Sequence, residues 1–187
     1  MRLVTSLTRY AVAALVLTVG FSLPQHAQAQ DALDPLFERL QAVGPDDYKP
    51  IEEKIWAEWS KSGSPAMDLL LERGTDAMAA GETGEAINHF TALTDHAPNF
   101  AQGYHARATA YYQAGLYGPA LEDIRRTLAL EPRHFAALSG LAVMLEEWGD
   151  LKGALQVYRE VQAIHPHREN LSTKIDELEK QTAGRAL

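Results

Sequence analysis

The sequence predicts an all-α solenoid of three stacked helix-turn-helix units with a helical cap at each end. Three observations carry that expectation. Prolines recur at Pro98, Pro132 and Pro166, 34 residues apart each time, and each closes a run with helical patterning. Proline lacks a backbone donor and biases the residue before it away from helical dihedrals, so the three mark equivalent boundaries. Glycines at Gly81, Gly115 and Gly149 keep the same spacing, where a residue tolerant of positive φ ends a helix. Ala86, Ala120 and Ala154 are each followed four residues later by a large side chain, Phe90, Ile124 and Tyr158. A fixed period of this length is the signature of stacked repeats.

The first element is not part of the solenoid. The chain opens MRLVTSLTRYAVAALVLTVGFSLPQHAQAQD, with Arg2 and Arg9 ahead of an apolar run from Tyr10 to Leu23 and the small-residue pattern Ala27-Gln28-Ala29. That order predicts a cleavable signal peptide over residues 1–29. The apolar run is shorter than the roughly 20 residues a spanning helix needs. Removing it takes away two arginines and no acids, so the 17 basic and 25 acidic residues of the whole chain become 15 and 25. Such an acidic balance argues against nucleic acid or an anionic membrane as partner. The chain has no cysteine, so its stability is expected to come from packing without disulfides.

Residues 30–66 are expected to form a helical cap or degenerate repeat covering the first unit. Asp34-Pro35 reads as an N-cap and first helical residue, and Asp47 as the cap of a second helix with Pro50 in its tolerant first turn. Tyr48, Ile51, Ile55 and Trp59 share one stripe of that helix, with Trp56 beside it. The tryptophans read as core, although two such rings also suit sugar stacking. A Ser62-Gly63-Ser64-Pro65 turn joins the cap to the repeats.

The repeats follow as units 67–100, 101–134 and 135–168. Gly74, Ala108 and Ala142 on the first helices, with Ala86, Ala120 and Ala154 on the second, supply close crossing points, because two helices approach tightly only where one presents almost no side chain. Leu70, Tyr104 and Leu138, with Tyr111 and Leu145, complete an apolar face that one unit cannot bury alone. Residues 169–187 close the array with a helix whose narrow stripe is Leu171, Ile175 and Leu178.

On these residues the chain resembles the tetratricopeptide repeat family, whose pattern includes A-x-x-x-F and a closing proline. The matches are Ala86 to Phe90, Ala120 to Ile124 and Ala154 to Tyr158, each followed by its proline. The family's aromatic near the end of the first helix is replaced by Ala77 in the first unit and Leu145 in the third. The stretch IEEKIWAEWSKSGSPAMDLLLERG further resembles small exported tetratricopeptide proteins of alphaproteobacteria.

The resemblance implies a concave face lined by the first helices and used for extended peptides or partner helices. Repeat register then nominates Leu71, Thr75 and Met78; Gln102, His105, Thr109 and Tyr112; and Ser139, Val143 and Glu146 as groove residues, beside Asp68 and Ala136. Leu71, Met78 and Tyr112 stand out as large side chains that the repeat core does not require. The two-carboxylate clamp of heat-shock co-chaperones uses lysines and asparagines at inner positions. The matching positions here are Leu71, Thr75, His105 and Thr109, so that clamp is absent.

No sequence signature for a catalytic serine, a zinc helix, a dinucleotide loop or a phosphate-binding loop is present. His165 and His167 at one turn, and His89 with His96 on one helix, each bring two ligands where a metal site needs three or four; they read as solvated histidines near helix ends. Glu146-Glu147 and the acids around Lys180 read as solvated helix faces. The resulting expectation is a non-catalytic, cofactor-free adaptor or assembly factor for cell-envelope proteins in the periplasm, without stable membrane insertion after cleavage. A metal-assisted hydrolase built on the histidines and a structural subunit of a homo-oligomer remain the alternatives.

Overall fold

The computed structural model describes residues 25–184, so the expected leader lies mostly outside the described residues. Among those described, all regular structure is helical: α1 (Gln25–Ala42), α2 (Lys49–Trp59), α3 (Pro65–Ala79), α4 (Thr83–His96), α5 (Ala101–Gln113), α6 (Tyr117–Leu130), α7 (Phe135–Glu147), α8 (Leu151–Ile164) and α9 (Leu171–Gly184). None is long and apolar enough to cross a membrane. The helices α4, α6 and α8 each end two residues before the closing proline. The first helix of each unit ends at a glycine in the left-handed region: Gly81 at φ 78°, Gly115 at 73° and Gly149 at 81°. Those dihedrals are unfavourable for any residue with a Cβ.

The units α3–α4, α5–α6 and α7–α8 stack in sequence, with α9 against α8 and α3 also meeting α5 directly. The first helices therefore form the inner layer. Ala86, Ala120 and Ala154 are wholly buried, and Phe90, Ile124 and Tyr158 fill the space one turn on. The tightest crossing is at Gly74, where a Cβ would overlap the Phe90 ring. Leu171, Ile175 and Leu178 of α9 are buried against the last unit.

The N-terminal hairpin departs from expectation in three ways. α1 does not begin at Asp34 but runs through Pro35. The exposed proline does not end it, because Leu33 on one side and Phe37 and Leu40 on the other are pinned in the core. α2 is preceded by Tyr48, not Asp47, at its N-cap, with no side-chain cap, while Pro50 sits in the first turn. The third departure matters most. The hairpin does not cover the first unit; Leu33, Phe37, Leu40, Tyr48, Ile51, Ile55 and Trp59 join one core with Phe135, Leu138, Tyr158 and Val161 of the third unit and the α9 stripe. In repeat register, His134 at the boundary of the third unit, with Phe135 and His165 inside it, stand where Ala66, Met67 and Ala97 stand at the first. At these matched positions the first unit offers no ring, and burial against the rings of the far end outweighs chain proximity.

Candidate docking surface

The inner positions divide into a closed end and an open end. At the closed end, α2 lies over the N-terminal turns of α5 and α7. Trp59 stacks on His134 with ring centroids 4.1 Å apart and planes 5° from parallel. Trp56 packs tilted against His105 at 5.8 Å and edge-on to His134 at 5.9 Å. His105 and His134 are themselves 4.4 Å apart. Tyr48 meets the His165 ring edge-on at 5.0 Å. His165 is therefore fully buried, a correction to its expected place in solvent, while half-buried His167 stays apart from this stack.

Hydrogen bonds assign the His134 tautomer. As N-cap of α7, its Nδ1 accepts from the Ala137 amide at 3.2 Å, so Nε2 carries the proton and donates to Gln102 Oε1 at 3.1 Å. Burial, the neighbouring His105 and the Arg168 charge hold His134 well below the usual imidazole range. Burial, aided by Arg168, pushes His105 down to about 4. Desolvation disfavours the charged form of a group that has no counter-charge. Of the nominated groove residues, Gln102 and His105 are thus occupied by the chain itself. Leu71 is buried in the core of the first unit and is not an accessible contact, which corrects the expectation that the core does not require it.

The open end is formed by the C-terminal turns of the first helices. Thr75 and Thr109 are exposed, their hydroxyls donating back to Leu71 O and His105 O. Met78 is half-buried over the first unit's core. Val143 is 38% exposed. The Tyr112 hydroxyl donates to Glu147, which pushes it up to about 12. Glu146 accepts from Tyr158 at 2.7 Å and pairs with Lys174 at 3.4 Å. Ser139, higher on α7, donates to Phe135 O. This end combines an apolar strip with carboxylates at Glu146 and Glu147. Among the described residues, no group of three or more His, Cys, Asp or Glu is placed to hold a metal ion.

Sequence reasoning passed over a buried polar tie in the middle unit. Arg107 of α5 makes a two-pronged contact with Asp123 of α6 at 2.7 and 2.9 Å and donates to Thr94 of α4 at 2.7 Å. It joins three helices from two units. The readable signal was a break in register: positions equivalent to Asp123 hold His89 and Val157, and those equivalent to Arg107 hold Arg73 and Leu141.

Three kinds of comparison agree with this architecture. A family model described as Tetratricopeptide repeat matches residues 71–118 and 105–169. A TPR repeat-containing protein of Rhizobium etli is 30% identical over 153 residues, covering 81% of this chain and 75% of that protein. The heat-shock protein cognate co-chaperone sgt12 of Aspergillus fumigatus is 31% identical over 140 residues, covering 74% of this chain but 38% of its own length. Among solved structures, the first TPR of Spaghetti (RPAP3) bound to the HSP90 peptide SRMEEVD superposes with a TM-score of 0.59 at 22% identity, over 63% of this chain and 93% of that one. The Yersinia enterocolitica type III secretion chaperone SycD, in complex with a peptide of the translocator YopD, gives a TM-score of 0.59 at 13% identity, over 64% and 96%. At these identities the structural likeness bears on the fold.

Proposed function

Because the chain belongs to the tetratricopeptide repeat family, we propose that it is a non-catalytic adaptor or assembly factor of the bacterial periplasm that docks a peptide or helix of a cell-envelope protein on its inner helices. One observation carries the docking reading: beyond α2 the inner layer keeps an open strip in which Val143 is 38% exposed beside Tyr112 and Glu147. An exposed aliphatic residue flanked by an aromatic on a concave helical layer is the kind of surface that anchors a partner. The ligands of two structural neighbours, an HSP90 peptide and a peptide of a translocator, favour a short segment as the partner.

An acidic C-terminal peptide is a poor fit. Recognising paired carboxylates takes cations with free donors. Here Leu71 is buried, His105 lies beneath Trp56, and Thr75 and Thr109 are neutral. The open end instead presents exposed Glu147, with Glu146 already paired to Lys174, so charge complementarity selects a neutral or basic segment. Export to the periplasm rests on the charged start, short apolar run and Ala27-Gln28-Ala29 site.

The test is capture from periplasmic extract by the immobilised chain beginning at Gln30. Val143→Asp with Tyr112→Ala should weaken capture of a discrete protein at least tenfold, equivalent to about 1.4 kcal/mol, with helical content unchanged. Undiminished capture by that variant, and loss on changing Arg125 or Arg159 of the outer helices, would move the partner to the outer layer.

A further inference from the structure

The α1–α2 hairpin is held to the solenoid by a contact of unusual chemistry. Its centre is a pile of imidazoles and indoles in which Trp59 Nε1 is buried without a hydrogen-bond partner. His134 spends both of its nitrogens on Ala137 and Gln102. His105 Nδ1 is buried with no hydrogen-bond partner. Clefts of about 430 Å³ and about 710 Å³ flank α2, one towards the start of α9 and the other towards Phe100 and Gln102. The hairpin is thus bounded by space on both sides of its line of contact.

Three carboxylates around the pile, Glu52, Asp34 and Glu131, already face cationic partners. From α2, Glu52 faces His165 at 3.4 Å and Arg168 at 3.6 Å of the α8–α9 turn. From the α6–α7 turn, Arg133 pairs with Asp34 of α1 at 2.7 Å and takes Glu131 at 3.7 Å. From α5, neutral Gln102 meets His134, while Arg107 is paired with Asp123. Glu52, Asp34 and Glu131 are thus already paired, while a proton arriving on His105 or His134 meets the Arg168 charge and in His134 destroys the acceptor that caps α7.

We infer that the hairpin is an acid-released gate, closed over the N-terminal half of the inner face while His105 and His134 are neutral and opened when they take up protons. Both histidines bind protons more weakly in the closed form than when free. Closure is accordingly fully favoured above the ordinary imidazole value of about 6.5 and loses its advantage as pH falls from there towards 4. Opening need not dissolve the rest of the array, because the buried clusters of the first two units, around Phe90 with Leu93 and around Ala120 with Ile124, contain no hairpin residue. Release uncovers Gln102, His105, Phe135 and Arg168, extending the inner surface beyond its open end. Only that consequence rests on the docking reading.

Peptide-resolved hydrogen exchange on the chain beginning at Gln30, from pH 8 to 4.5 and corrected for intrinsic rates, tests the gate without any partner. Peptides from α1 and α2 should lose at least tenfold in protection below about pH 5.5, while α4–α6 keep theirs. His105→Phe, which retains a ring under Trp56, should lower the midpoint of release by at least half a pH unit. Simultaneous loss of protection in the hairpin and α4–α6, or an unchanged midpoint in His105→Phe, would overturn the gate and leave the capture experiment at neutral pH standing.

Discussion

Gly74→Ala offers the sharpest test of how the first unit packs, because two effects of known sign oppose each other there. In an ordinary helix interior the change stabilises by about 0.5–1 kcal/mol, since glycine loses more backbone freedom on folding. In α3 the added Cβ would overlap three atoms of the Phe90 ring. That ring is 1% exposed and has no free direction in which to swing. Inserting a methyl into a packed core costs about 1–3 kcal/mol, so the net effect should be destabilisation by about 1–2 kcal/mol. Gly140 is the internal control. Its Cβ would stand 3.7 Å from Ile124 Cδ1, an ordinary contact, so Gly140→Ala should stabilise by about 0.5–1 kcal/mol. Urea denaturation followed by helical circular dichroism reads both. For a chain of this size each kcal/mol corresponds to about 2–4 °C in Tm. Phe90→Leu in the Gly74→Ala background should return part of the loss, a coupling expected only if the two residues touch. Equal shifts of the same sign in Gly74→Ala and Gly140→Ala would refute the proposed crossing of α3 and α4.

Other expectations follow from the buried polar groups and from the leader. Arg107→Met should cost about 3–5 kcal/mol by leaving the Asp123 carboxylate buried and unpaired, and the double variant with Asp123→Asn should recover much of it in a denaturation cycle. Unfolding free energy should fall as pH drops below 6.5, because His105 is pushed down to about 4 when folded; a displacement of about 2.5 pH units corresponds to about 3 kcal/mol. His105→Phe should flatten that profile, and an unaltered acid limb would assign the loss to other groups. The periplasmic form should have an intact mass beginning at Gln30, whereas a membrane-bound form retaining residues 1–29 would identify an anchor.

The sequence by itself determined the repeat. Its 34-residue spacing of prolines, glycines and small-large pairs is local chemistry, and each signal acts within one or two turns of the residue that carries it: a lost donor, a positive φ, a crossing too close for a side chain. Register also placed the inner layer, which is why Thr75, Met78, Thr109, Tyr112 and Val143 were legible as one strip. What register could not show was which of those positions remain open. Leu71 turned inward, and Gln102 and His105 were covered by a hairpin more than 40 residues earlier in the chain. That docking is a long-range choice between ends of the array, decided by where enough aromatic surface existed to bury α2, and periodicity contains no information about it. The clue lay in the departures from the repeat: His134, Phe135 and His165 at and beyond the start of the third unit, and Asp123 in the second, where it meets an arginine that the first unit also has at Arg73. Residues that break the pattern make the contacts that repetition cannot supply, and only the tertiary structure decided that those of the third unit hold the N-terminal hairpin and those of the second hold neighbouring units together.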